Sequence, residues 1–169
     1  MTTLYSCNHV SFEQDGPTCS QISSLYLNGL RHIGSQLKSV QHTFPGVQEL
    51  HLCNCGFSDL SGFLECSAWK DSLRLLDLQD NQIASWKSVE DLSCLHKYCL
   101  YQKELLLVVK YFSVSLEELF LNRNFLTYID CSSTALSKMR TLNLESNRLS
   151  SVSFLSYRMC CDSHGLTVG

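Results

Sequence analysis

One phrase recurs five times along the chain, and it limits the fold more than any other feature. Its fourth copy reads Leu116-Glu-Glu-Leu119-Phe-Leu121-Asn-Arg-Asn124-Phe-Leu126. The third is Leu73-Arg-Leu-Leu76-Asp-Leu78-Gln-Asp-Asn81-Gln-Ile83, and the fifth is Met139-Arg-Thr-Leu142-Asn-Leu144-Glu-Ser-Asn147-Arg-Leu149. The second, Val47-Gln-Glu-Leu50-His-Leu52-Cys-Asn-Cys55-Gly-Phe57, has Cys where those copies have Asn. The first opens at Ile22, runs through Leu25 and Leu27, and has Leu30 at that position. Apolar residues at alternating positions mark a short strand. A strand of that length cannot bury its apolar side alone, so each unit must cover the next.

The shared form L-x-x-L-x-L-x-x-N/C-x-L is that of a leucine-rich repeat. It predicts an α/β leucine-rich-repeat solenoid with short parallel strands on the concave face and helical turns on the convex face. Leu50, Leu52, Leu76, Leu78, Leu119, Leu121, Leu142 and Leu144 should be buried. A structural ladder follows from the ninth position, where the chain leaves the strand. An Asn there can bond its own turn and its neighbour's backbone. Asn81, Asn124 and Asn147 fill that place, Cys55 substitutes with its weaker S–H donor, and Leu30 marks a degenerate, cap-like first repeat. Between strands, helix-spaced apolar stripes should return the chain. They are Ile33, Leu37 and Val40; then Leu60, Phe63 and Leu64, with Trp69 near the end; then Trp86, Val89 and Leu92. The aromatics among them are expected in the core.

Successive copies start at 22, 47, 73, 116 and 139. The step from 73 to 116 exceeds the two steps before it by 17 or 18 residues. The surplus falls near Tyr98 to Val114, which has no copy of the phrase and is too apolar for a solvated loop. The expected organisation is an N-terminal cap or irregular segment over 1–21, a repeat domain over 22–157 with an atypical insert at about 98–114, and an irregular tail over 158–169.

Composition excludes several classes. Thirteen Lys and Arg against sixteen Asp and Glu give a net charge of −3, so a nucleic-acid partner is not expected. No run of apolar residues approaches a membrane span, since the longest is Leu105 to Val109, and no membrane partner is expected. The N-terminus has neither a basic start nor an apolar run, so the ten cysteines are expected to be reduced, small hydrophobes in a cytoplasmic protein. Their spacing does not supply paired zinc-ligand motifs, so no metal and no cofactor is expected. No motif of a hydrolase, zinc protease or nucleotide-binding loop is present, and no catalytic residue is assigned. His51 beside Cys53 could suggest a thiol nucleophile, but no third orienting group is evident.

The residues between the buried leucines should form the binding face. Its central column is Tyr26, His51, Asp77, Phe120 and Asn143. Glu49 and Glu118 belong to the column before it, Gln79 to the column after. Aromatics among carboxylates suit a protein partner carrying a basic patch, the alternative being a merely solvated sheet face. Monomeric, non-catalytic protein binding is therefore the expected role.

Three stretches carry a more particular resemblance: PGVQELHLCNCGFSD, SLRLLDLQDNQIASWKSVEDLSCL and SLEELFLNRNFLTYI. They resemble the leucine-rich region of the tubulin-folding cofactor E family, most distinctively in Trp86 followed by Val89 and Leu92. The likeness covers about residues 22 to 155 apart from the surplus. It implies α-tubulin binding during post-chaperonin tubulin folding and microtubule organisation. Other tubulin-folding cofactors are further implied partners, in a cytoplasmic, cytoskeleton-associated setting. Family members carry a CAP-Gly domain before the repeats and a ubiquitin-like domain after them. Neither is recognisable here, so the chain is expected to be a fragment or truncated product. The alternative is another intracellular leucine-rich scaffold or regulatory subunit, of phosphatase-regulatory or axonemal type.

Overall fold

The computed structural model describes residues 2–5, 16–65, 68–91, 115–130, 139–153 and 166–167. Its frame is a seven-stranded sheet in the order β1-β2-β3-β4-β5-β7-β9. The strands are β1 (Thr2–Tyr5), β2 (Ile22–Tyr26), β3 (Glu49–His51), β4 (Leu75–Asp77), β5 (Glu118–Phe120), β7 (Thr141–Asn143) and β9 (Leu166–Thr167). Every neighbouring pair is parallel. The register aligns Leu25, Leu50, Leu76, Leu119 and Leu142 in one row, so each repeat covers the last with the same leucine. All eight leucines expected inside are buried, together with Leu25 and Leu27. Truncating Leu78 or Leu121 to Ala in such a core costs about 2–5 kcal/mol.

The sequence led to five sheet strands, and the sheet has seven. β1 lies in the segment expected to be a cap or irregular, and β9 in the expected irregular tail. A sheet edge offers unpaired N–H and C=O groups, and these short segments satisfy them without matching the repeat phrase. β1 joins with a register irregularity between Thr2 and Thr3.

The return path is helical in the first three repeats. A 3-10 turn (Ile33–Gln36) leads into α1 (Leu37–Thr43), a second turn (Ser61–Glu65) precedes α2 (Trp69–Ser72), and α3 spans Trp86–Asp91. Ile33, Leu37, Val40, Leu60, Phe63, Trp69, Trp86 and Val89 are all buried, and the Trp69 indole N–H donates to the Phe44 carbonyl at 2.9 Å. The side chain of Leu64, and Leu92, lie outside the described residues. The fourth and fifth repeats have most of their return segments, 131–138 and 154–165, outside the described residues. After the turn they form β6 (Tyr128–Asp130) and β8 (Ser151–Ser153), paired in parallel as a separate two-stranded sheet. These units are shorter, and their Tyr-Ile and Val residues suit extended backbone. No helix among the described residues is long and apolar enough to cross a membrane.

The ladder ties the turns together. The Asn81 side chain donates to Leu52 O at 2.9 Å and Leu78 O at 2.8 Å, and accepts from the N–H groups of Cys55 at 3.1 Å and Phe57 at 3.0 Å. Asn124 donates to Leu78 O and Leu121 O and accepts from Ile83 N–H. Asn147 does the same with Leu121 O, Leu144 O and Leu126 N–H. The Cys55 thiol reaches Leu27 O at 3.2 Å. Just before the ladder position, every repeat has a residue in the left-handed region: Gly29, Asn54, Asp80, Arg123 and Ser146. Gly, Asn and Asp adopt that conformation readily; Arg and Ser do so at a cost.

The surplus leaves this stacking unchanged. β4 pairs with β5 in the same register as β3 with β4. Asn124 reaches Leu78 O across 46 residues, and Asn81 reaches Leu52 O across 29, a difference of 17. The Ser115 hydroxyl donates to Leu73 O at 2.6 Å, where the fourth repeat begins. Residues 98–114 themselves lie outside the described residues.

Candidate protein-binding face

With the leucines turned inward, alternate residues of β2, β3, β4, β5 and β7 fall on the other side of the sheet. The register places Tyr26, His51, Asp77, Phe120 and Asn143 in one row, each half-buried. Ser24, Glu49, Leu75, Glu118 and Thr141 form the row before it. Backbone bonds from Gly29 to Cys53, Asn54 to Gln79, Asp80 to Asn122 and Arg123 to Glu145 align the row after it. The eight residues expected on the face therefore share one surface. Its three rows carry Glu49, Asp77, Glu118 and Glu145 and contain no Lys or Arg.

Several of these groups are engaged locally. The Tyr26 and His51 rings stack with centroids 4.1 Å apart and planes 6° from parallel. His51 Nδ1 lies 3.2 Å from Asp77 Oδ2. The other Asp77 oxygen accepts the Gln79 N–H at 3.1 Å, and Asn143 accepts the Glu145 N–H at 3.0 Å in the same way. These two side chains thus shape the turn after their strands as well as facing outward. Ser24 donates to Glu49 at 2.7 Å. Among the described residues Glu118 has no such engagement. Asn122 is buried, and among the described residues its side-chain oxygen has no hydrogen-bond partner.

The electrostatics follow from this packing. Burial pushes the Asp77 carboxyl up, but bonds from His51, Cys53 and the Gln79 N–H outweigh it and hold the group below its ordinary value. Burial and the neighbouring Asp77 push the Cys53 thiol up to about 12. A thiol raised in this way supplies little thiolate, the form in which a cysteine acts as a nucleophile. Among the described residues no group of three His, Cys, Asp or Glu side chains is placed to hold a metal ion.

The rim was not read from the sequence. Asp80 accepts a two-pronged bond from the Arg123 guanidinium, 2.8 Å at Nη2, which lowers the Asp80 carboxyl. Glu117 lies between Arg74 at 2.6 Å and Arg140 at 3.2 Å. Residues at the same repeat position on neighbouring turns meet this way, so opposite charges at equal repeat positions were the available signal. Arg74, Arg123 and Arg140, just outside β4, β5 and β7, thereby pair beside the face, leaving its own carboxylates with no Lys or Arg within the three rows.

Comparison with known proteins agrees with this architecture. Residues 114–157 match the family model described as Leucine Rich repeats (2 copies). The chain is 33% identical over 132 residues to a protein of Arabidopsis thaliana named Tubulin-folding cofactor E. That match covers 76% of the chain but 22% of the plant protein, so the chain spans about a fifth of the length of its relative. The repeats are thus of the leucine-rich kind, and over 76% of its length the chain is similar to tubulin-folding cofactor E.

Proposed function

We propose that this chain is a non-catalytic module that binds α-tubulin through the half-exposed face of its sheet, during the folding steps that follow chaperonin release. The identity to tubulin-folding cofactor E, spread over 132 residues, carries this reading. The face supports it: Tyr26, His51 and Phe120 supply apolar contact, and Glu49, Asp77, Gln79, Glu118 and Asn143 supply polar groups around them. Carboxylates without cations among them suit a basic patch on the partner, which they would steer and orient more than hold. Stacked parallel strands in a curved solenoid would present these rows on the concave side. A cytoplasmic, cytoskeleton-associated role and contact with other tubulin-folding cofactors belong to the same proposal.

The test is affinity capture from cell extract with the purified chain, followed by mass spectrometry. α-Tubulin as the main prey, lost on Glu118→Lys with Glu145→Lys, supports the proposal. A phosphatase catalytic subunit or axonemal protein as the main prey would instead place the chain among other leucine-rich scaffolds.

A further inference from the structure

Two exposed aromatics follow β5: Phe125 in the turn, at 39% exposure, and Tyr128, the first residue of β6, at 43%. They are the only large apolar side chains exposed among the described residues, and they lie three positions apart. Between them, Leu126 is buried, so the turn is anchored from beneath. Its backbone is also held on both sides: Phe125 N–H donates to Ile83 O at 2.9 Å, and Arg148 N–H donates to Leu126 O at 2.9 Å. At the place Phe125 occupies, the other repeats have Arg31, Gly56, Gln82 and Arg148. The fold therefore needs no aromatic there, and an exposed ring on a fixed turn has the character of a contact residue.

Arg148 adds charge to the same spot. Its guanidinium lies over the Phe125 ring, 4.4 Å from the centroid. Arg74, Arg123 and Arg140 each pair with a carboxylate, but among the described residues none pairs with Arg148. The ring holds the guanidinium in place and leaves its N–H donors for an incoming acceptor. A fixed cation beside exposed aromatics selects a ligand with negative charge and an apolar side chain close together. The spot also differs in sign from the acidic sheet face, so one basic surface cannot satisfy both.

We propose that Phe125, Tyr128 and Arg148 form a second docking site, for an acidic protein segment in which an apolar side chain stands beside carboxylates. The carboxylate pairs with Arg148 and the apolar side chain packs on the two rings. This site goes beyond the sheet-face reading and does not depend on it.

The test uses the full chain and a fluorescein-labelled peptide alternating Glu with Leu and Phe, followed by fluorescence anisotropy. A second peptide has Lys for Glu, and a third has Ser for Leu and Phe. The acidic apolar peptide should bind, with both control peptides weaker. Phe125→Ser, Arg148→Glu and the milder Arg148→Gln should each weaken binding by about fivefold or more, with an unchanged melting midpoint. Glu118→Lys on the sheet face should leave peptide binding intact. Equal binding of the Glu and Lys peptides, no binding by the wild-type chain up to about 1 mM peptide, or equal affinity in Arg148→Gln would each overturn the proposal. Self-association of the chain that disappears in Phe125→Ser, without peptide binding, would overturn it in favour of a second copy as occupant.

Discussion

Replacing Asn81 with Ala isolates the ladder. The side chain is 3% exposed, so water cannot take over its bonds. Truncation strands the N–H groups of Cys55 and Phe57 and the carbonyl of Leu52. The Leu78 carbonyl keeps its bond from Asn124. At about 1–1.5 kcal/mol for each buried orphan, the loss is about 3–5 kcal/mol. Asn147 lies nearer solvent and strands Leu126 N–H and Leu144 O, so Asn147→Ala should cost only about 1–2 kcal/mol. Because Asn81 and Asn124 share the Leu78 carbonyl, removing both leaves it bare. The double variant should therefore exceed the sum of the singles by about 1 kcal/mol. Urea unfolding read by tryptophan fluorescence measures this, since both tryptophans, Trp69 and Trp86, are buried. An Asn81→Ala loss below about 0.5 kcal/mol, or one equal to that of Asn147→Ala, would refute the reasoning.

Three further outcomes are expected. A Cβ at Gly46 would meet the Ser20 carbonyl oxygen at 2.6 Å, so Gly46→Ala should lower stability by about 1–3 kcal/mol in the same urea assay. The Asp77 carboxyl is held below its ordinary value of 3.8, so it contributes stability that is fully present above that pH and is lost as pH falls through the lower folded value. The penalty of Asp77→Asn, measured by denaturation at several pH values, should accordingly be larger at pH 6 than at pH 3. Deleting residues 98–114 joins Lys97 to Ser115 and restores the spacing of the neighbouring repeats, so the variant should keep its circular-dichroism spectrum and melt at or above the parent; earlier melting would show that the segment contributes to the fold.

The repeat phrase made the sheet legible because its alternation answers one physical demand. Each pair of leucines must be covered by the next pair, which sets both the inward face and the register. The rows from Tyr26 to Asn143 followed from the same alternation. β1 and β9 were hidden because an edge strand needs only extended backbone, which leaves no phrase in the sequence. β6 and β8 were hidden because the phrase ends before they begin. Local engagement of the site was equally invisible. Asp77 reads as a free carboxylate until its bonds to His51 and the Gln79 N–H are seen. Phe125 fits the phrase at a position open to any residue, and only its exposure beneath Arg148 sets it apart.

The most direct measurement is a titration of purified α-tubulin against the immobilised chain by biolayer interferometry, at low and high salt, for wild type and for Glu118→Lys with Glu145→Lys. The account predicts saturable wild-type binding that weakens with salt, and a charge-reversed face that loses about tenfold or more in affinity while melting like the parent. Equal affinity of the two proteins at both salt concentrations, or no binding by the wild-type chain, would contradict it.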